Sequence, residues 1–405
     1  MGVRFLGTIA GLMLSVAVGW EVYARTHDPF SLGLVGLVQF VPAILLSLAA
    51  GHVADRFDRR RVVGTCYAAL VGISVLLYWQ SRAFHTAVWP IYSVMALLAV
   101  ARSFAQPAAQ ALVPDLVPPE EFSRAVAWGS TVWEAAAVSG PALGGWVYAV
   151  KGEAGPVYLV AAVLNALALV LVLAMKVRTG RMEKKAASLE TVLAGVVYVW
   201  KNKVILGSIT LDLFAVLFGG AVALLPVYAH DVLHIGPQGL GLLRSAPSFG
   251  AGVVAIAIAF FPLRKHVGAS MLACVALFGI ATIVFGLSRN VVLSLVALIV
   301  IGGADMVSVV VRQTLVQVAT PGEMRGRVSA VNLVFIGASN ELGEMESGLT
   351  ASWFGTVPAV VYGGIAAVVV VAAYALLFPE LLRVSNLDAK ETPPPPEPEE
   401  AVDTA

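Results

Sequence analysis

Charge is scarce in this sequence. Asp, Glu, Lys and Arg make up 13% of the 405 residues and hydrophobic residues 59%, proportions that exclude an ordinary water-soluble domain. Cysteine is nearly absent. Cys66 and Cys274 fall in apolar runs far apart in the chain, where each reads as a small packing residue, so neither a disulfide nor a metal site is expected of them. The net charge is +1, which gives no case for nucleic-acid binding. There is no Gly-rich phosphate loop, no polar stretch long enough for an ATPase domain and no nucleophile beside a base. The chain is therefore not expected to be an enzyme or to need a cofactor, and any work it does should draw on an ion gradient. His230 and His234 have a metal-compatible i, i+4 spacing, but with only Asp231 nearby they read as a solvated loop, and no metal is expected.

What is present is apolar length. A helix crossing a bilayer needs ~20 largely apolar residues, and the sequence supplies runs at 3–24, 31–54, 62–80, 87–113, 125–150, 155–177, 204–229, 236–261, 268–287, 290–317, 328–353 and 357–380. The predicted fold is thus all-α and integral to the membrane, with twelve transmembrane helices and both ends on one side. Of the 26 Lys and Arg residues, eighteen lie in the segments that side would hold, including Arg56, Arg59, Arg60, Arg61, Arg124, Arg325 and Arg327. Only Arg25, Arg82, Lys151 and Arg289 lie outside the spans on the other side, so both termini are expected in the cytoplasm of a bacterial inner membrane. Trp79, Trp89 and Trp353 sit near the other ends of their spans, as interfacial anchors do. The first apolar run passes into the second without a small-residue cleavage site, so the first helix is expected to remain.

The predicted divisions are an N-terminal bundle over 1–177, a linker over 178–203 with an amphipathic helix around Leu189–Trp200, a C-terminal bundle over 204–384, and a polar, Pro-rich tail over 385–405 that reads as disordered. An internal repeat supports the two bundles. A shift of 203 residues lays LVPDLVPPEEFSRAVA (112–127) over LVQVATPGEMRGRVSA (315–330), matching Pro118 with Pro321, Glu120 with Glu323 and Arg124 with Arg327. The register continues to Gly140 with Gly343 and Gly145 with Gly348, and places Arg102 opposite Asp305. Two parallel six-helix halves of this kind hold their binding site between them near mid-membrane.

Between the second and third runs the sequence is GHVADRFDRRRVV, with Gly51, Asp55, Arg56, Arg59 and Arg60 at the spacing Gly-x-x-x-Asp-Arg-x-x-Arg-Arg. This resembles the signature loop of the major facilitator superfamily, Asp58 standing where Gly is commonest. The resemblance implies a cytoplasmic latch between the halves. Asp55 would meet the start of the eleventh helix, whose dipole favours an anion, and an arginine would meet an acid at the end of the fourth, for which Asp115 is available. A basic loop that merely sets topology is the alternative. Arg102, in ARSFAQPAAQ, is similar to the buried arginine of the family's fourth helix, with Pro107 in place of the usual Gly. SGPALGG (139–145) resembles the back half of the Gly-Pro motif of antiporters, although Ala127 and Ala136 replace its upstream glycines. Gly140, Pro141, Gly144 and Gly145 would let that helix bend, or would simply let it pack closely. Asp115 to Gly145, with SNELGEMESG at 339–348, is most similar to bacterial exporters of the enterobactin-exporter type. Those carry a polar stretch before helix one where this chain has Met1, which makes an upstream start an open expectation.

Charged side chains inside spans are costly and so are functional candidates. The acids are Glu21, Glu134, Asp212, Asp305, Glu341, Glu344 and Glu346; the bases are Arg102, Arg244 and Arg312, with Arg4 near an end. Acids outnumber bases, and a carboxylate that gains and loses a proton is what proton antiport requires. Asp305 and Glu134 fall near mid-membrane by the helical rise, with Asp212, Glu341 and Glu344 as further proton-coupling candidates; interhelical pairing is the structural alternative for each. Arg102, Arg312, Glu21, Trp20 and Trp133 are candidates to line the substrate cavity, the tryptophans because aromatic faces beside Glu21 and Glu134 suit cationic or amphipathic compounds. The expected function is a monomeric secondary transporter, taking protons and a small organic compound, a siderophore or hydrophobic drug, in exchange across the bilayer. A proton-coupled nutrient symporter and a non-transporting receptor or scaffold are the rivals.

Overall fold

The computed structural model describes residues 1–84, 86–175, 189–262, 266–321 and 324–382. Most of the predicted linker before Leu189, and the tail from Ser385, lie outside them.

Six long helices form the N-terminal half: α1 (Gly2–Thr26), α2 (Pro29–Arg56), α3 (Arg59–Ala83), α4 (Trp89–Leu116), α5 (Phe122–Lys151) and α6 (Gly155–Ala174). After α7 (Leu189–Lys201) come α8 (Lys203–Phe218), the short α9 (Leu225–Val227), α10 (Gly236–Phe260), α11 (Val267–Leu287), α12 (Val291–Val318), α13 (Arg325–Phe354), α14 (Thr356–Leu377) and the single turn α15 (Pro379–Leu382). Local chemistry sets their ends. Asp28 caps α2 by accepting from the Phe30 N–H at 3.0 Å, with Pro29 as first helical residue. Asp58 caps α3 through the Arg61 N–H at 3.1 Å, which gives this departure from Gly in the loop a purpose. Asn202 and Asn290 cap α8 and α12 in the same way. Gly152, at φ +72°, closes α5 in the left-handed region with its N–H on the Tyr148 carbonyl.

Ten of the described helical segments are long and apolar enough to cross a membrane. The chain is a multi-pass membrane protein. The other two long helices, α5 and α13, are 30 residues each. Packing repeats with the sequence: α1 with α5 and α6, α2 with α4, and α3 with α4 and α6 recur as α8 with α13 and α14, α10 with α12, and α11 with α12 and α14. The α7 helix lies against α13, its Tyr198 hydroxyl donating to the Ala319 carbonyl at 3.0 Å while Val199 joins Val316, Val328 and Val331 in a small apolar cluster.

The expected continuous span 204–229 is broken. The α8 helix stops at Phe218, and after the Gly219–Gly220 pair the chain runs through a 3₁₀ turn, α9 and a π-helical turn at Tyr228–Val232. The Phe278 ring occupies the place a Cβ on Gly219 would need, and Ser347 donates to the Gly220 carbonyl at 3.1 Å beside the Ala223 N–H at 3.3 Å.

The halves meet along two crossings, α2 with α13 and α5 with α10. A Cβ on Gly348 would lie 2.7 Å from the Gly33 Cα, and one on Gly145 would lie 2.9 Å from the Gly241 Cα. The repeat-related glycines 145 and 348 therefore make the equivalent contact on the two sides of the seam. Ser245 Oγ on α10 adds a hydrogen bond to the Val138 carbonyl at 2.7 Å. All these approaches lie toward the face bearing the 27–28, 152–154 and 233–235 turns, hereafter the far face. Toward the face of the arginine-rich turns, the basic face, Gly252 of α10 and Gly337 of α13 meet nothing within 4 Å. The close approaches between the halves thus lie toward the far face.

Candidate functional site: a charged band across the seam

Just inside the far-face closure, five helices bring four opposite charges together. Arg102 on α4 reaches across to α1, where a Cβ on Gly11 would come within 2.6 Å of its Nη2; glycine there is what admits the guanidinium. The opposite charge acting on it is Glu341 of α13, in the other half. One turn along α13, Glu344 lies against α2, where a Cβ on Gly36 would sit 2.9 Å from its carboxylate. Its counter-charge is Arg244 of α10, which also donates to Ser15 Oγ on α1. Gly11 and Ser15, one turn apart on α1, thus face the two arginines. Glu341 and Glu344 are three residues apart, close enough for each to feel the other's charge. Among the described residues no ion pair within 4 Å joins them, so the two carboxylates and two arginines share one region of the seam without direct contact. The arginines can accept an anionic group there.

The other predicted residues go elsewhere. Asp305 does not face its repeat-mate Arg102; it lines a small crevice inside the C-terminal half with Asp212. Arg312, 1% exposed, is ion-paired with Asp212 and walled in, so it cannot line a central cavity. The sequence placed Arg312 correctly two turns from Asp305, but its long side chain turns toward α8. Glu21 is also not a cavity residue. It is 5% exposed and engaged by Arg25, Tyr158 and Ser81, all within the N-terminal half, while Arg25 also caps the Phe84 carbonyl at 2.6 Å. Trp20 packs in the far-face closure, 6.4 Å from the Tyr148 ring and 5.4 Å from His230. Trp133 is 42% exposed in the basic half of α5, with the Arg4 guanidinium 6.0 Å from its ring, and Glu134 beside it is half-buried with no ion-pair partner among the described residues. Glu346 accepts from Thr350 Oγ1 at 2.8 Å, away from the band.

In the loop between α2 and α3, Arg59 is the arginine that finds Asp115, at 2.9 Å, and it also donates to the Ala111 carbonyl. Arg60 donates to the Val172 carbonyl at 3.0 Å and to that of Leu173, tying α3 to the end of α6. Arg56 is exposed and a Cβ on Gly51 would meet nothing within 4 Å; the Asp55 side chain lies outside the described residues. The glycines of α5 serve close approach: a Cβ on Gly140 or Gly144 would come within 2.9 Å of α1, and α4 and α5 run on through Pro107 and Pro141 without a break.

Two features escaped the sequence reading. Arg244 was legible only as a base in a span, because nothing in the sequence pairs it with Glu344. His230 and His234, read together as a solvated loop, divide: His234 is exposed, while the π-turn sets the partly exposed His230 5.7 Å from the Tyr23 ring and 5.5 Å from His27, beside Asp231, to which Tyr23 donates from across the seam.

Comparison with known proteins agrees with this architecture. The family model described as Major Facilitator Superfamily matches residues 1–344. The chain is 25% identical over 338 residues to the enterobactin exporter EntS of Citrobacter koseri, covering 81% of this chain and 78% of the relative, and 24% identical over the same length to that of Shigella dysenteriae. Among solved structures, the nucleoside transporter NupG superposes with a TM-score of 0.73 at 16% identity, over 93% of this chain and 97% of that one. A D-xylose-proton symporter superposes with a TM-score of 0.70 at 14% identity, over 94% and 98%. At those identities the likeness is one of fold.

Proposed function

The chain belongs to the major facilitator superfamily, and from that premise we propose that it is a proton-coupled antiporter that exports a small organic compound by alternating access. It sits in the bacterial inner membrane as a monomer with twelve spans, α5 and α13 included, and the basic face is cytoplasmic, as the asymmetry of Lys and Arg requires. On that orientation the conformation is the one that loads from the cytoplasm, closed at the periplasmic face. Export, over uptake, is supported by the antiporter-like SGPALGG segment and by the relatives named as enterobactin exporters. A siderophore or a hydrophobic drug is the substrate class.

The observation that carries this reading is the band itself. Arg244 is bonded to Ser15 across the seam, and the charges of Arg102 and Glu341, and of Arg244 and Glu344, act on each other there, on helices that must part for the periplasmic face to open. A receptor or scaffold has no use for desolvated charges on a moving seam. Substrate entering from the cytoplasm takes the proton's place against the carboxylates and wedges the band apart, which weakens the periplasmic closure. A proton returning from the periplasm restores the carboxyl group and releases substrate outward. Asp305 and Glu134, off the seam, are secondary candidates for the coupling role.

The test is efflux from proteoliposomes under an imposed pH gradient, beside counterflow at equal pH. Glu341→Gln and Glu344→Gln are expected to lose gradient-driven efflux at least tenfold while one of them keeps counterflow, since an amide holds shape but releases no proton. Wild-type gradient-driven efflux in both would remove the pair from the mechanism.

A further inference from the structure

Inside the C-terminal half, away from the seam, α8, α11 and α12 enclose a crevice of about 10 Å³ lined by Asp212, Asp305, Ser308, Phe278, Ala304 and Val216. That is room for one particle the size of a water molecule. Asp305 and Ser308, three residues apart, share a face of α12. Ser308 is 2% exposed, and its hydroxyl faces the crevice without a hydrogen-bond partner. Such a hydroxyl is uncommon: most serines in these helices return their proton to a carbonyl in the preceding turn, as Ser74, Ser103 and Ser139 do. The charge is also unbalanced. Arg312 neutralises one oxygen of Asp212, and no second base is ion-paired with Asp305 among the described residues. Two carboxylates against one guanidinium leave one negative charge in a dry place.

We propose that this crevice is a binding site for one dehydrated alkali-metal cation, sodium being the probe, held by Asp305, by the Asp212 oxygen that Arg312 leaves free, and by Ser308 Oγ. A single positive charge balances the site; a divalent ion would overshoot it. Among the described residues no group of three or more His, Cys, Asp and Glu is placed to hold a metal ion, so the richer carboxylate cage of a divalent ion is absent there. A proton alone would neutralise Asp305 but would leave the crevice itself unfilled. The site is also placed to matter: Phe278 forms one wall and its ring fills the space beside Gly219, where α8 breaks. Occupancy would fix α8 against α12 next to that break, independently of the substrate band.

The test needs no transport. Thermal unfolding of the purified full chain in detergent is followed while NaCl replaces choline chloride at constant ionic strength. A rise of about 2 °C or more, saturating in the millimolar range, is expected from ligand linkage. Ser308→Ala keeps every charge and is expected to weaken the apparent sodium affinity at least tenfold; Asp305→Asn is expected to abolish the response, and Glu341→Gln to leave it intact. Should Asp305→Asn not yield folded protein, Ser308→Ala with radioactive sodium binding decides alone. The proposal is overturned by equal stability in sodium and choline, by a sodium response undiminished in Ser308→Ala, or by stabilisation on acidification that sodium does not compete with, which would make the ligand a proton only.

Discussion

Adding one methyl group at Gly145 should shift the conformational equilibrium without dismantling the fold. Its Cβ would lie 2.9 Å from the Gly241 Cα and 3.0 Å from the Gly241 amide nitrogen, and closer still to the Pro237 carbonyl oxygen. All three are backbone atoms, so no side chain can turn aside; α5 and α10 must move apart by several tenths of an ångström. Overpacking of this kind costs about 1–3 kcal/mol. Because the contact spans the seam, the cost falls on the state closed at the far face and not on either half alone. At 1.4 kcal/mol per factor of ten, the open-to-closed ratio should rise roughly 5- to 150-fold. The repeat-mate Gly348, 2.7 Å from the Gly33 Cα by the same measure, should respond in the same direction. The assay is a pulsed spin-label distance between Lys151→Cys and Arg289→Cys, both exposed at far-face turns of opposite halves, in a background lacking Cys66 and Cys274. Gly145→Ala and Gly348→Ala should both populate a longer distance. Gly252→Ala and Gly337→Ala, where a Cβ meets nothing within 4 Å, should not. An unchanged distribution in both test variants, or an equal shift in the controls, would refute the argument from close approach.

Other outcomes follow from the same geometry. Tyr23→Phe removes the hydroxyl that reaches Asp231 across the seam, a bond to a charged acceptor worth about 1.5–3 kcal/mol, and should lengthen the same spin-label distance in at least a tenfold larger population. Asp212→Ala strands Arg312, 1% exposed, and should cost about 3–5 kcal/mol, seen as a marked fall in the midpoint of thermal unfolding; Asp212→Leu with Arg312→Met should recover most of it, and a single variant as stable as the double would contradict the burial. Arg59→Ala loses the Asp115 pair and the Ala111 carbonyl bond, both at 2.9 Å but part-exposed, so stability should fall by only about 1 kcal/mol while proteoliposome transport slows several-fold. Unaltered transport would reduce the basic loop to a topology signal.

Where the physics is local or periodic, the sequence decides. Lipid demands about 20 apolar residues per crossing and internally satisfied backbone, so the places of the long apolar helices can be read along the chain. The shift of 203 residues aligned Gly145 with Gly348, and in the structure each of these meets a glycine on one of the two crossings. Partner choice is another matter. The repeat put Arg102 and Asp305 at equivalent depths, yet depth fixes only one coordinate; helix rotation and side-chain reach set Arg102 against Gly11, Asp305 in a crevice with Ser308, and Arg312 on Asp212. The break after Phe218 was hidden for a related reason. Gly219 and Gly220 permit a continuous helix as readily as a broken one, and it is the Phe278 ring and the Ser347 hydroxyl, both distant in sequence, that select the break. The sequence by itself determined the apolar segments, the internal repeat and the supply of buried charge. Only the tertiary structure decided which charges meet, because each pairing depends on rotations about helix axes that packing across the whole bundle sets at once.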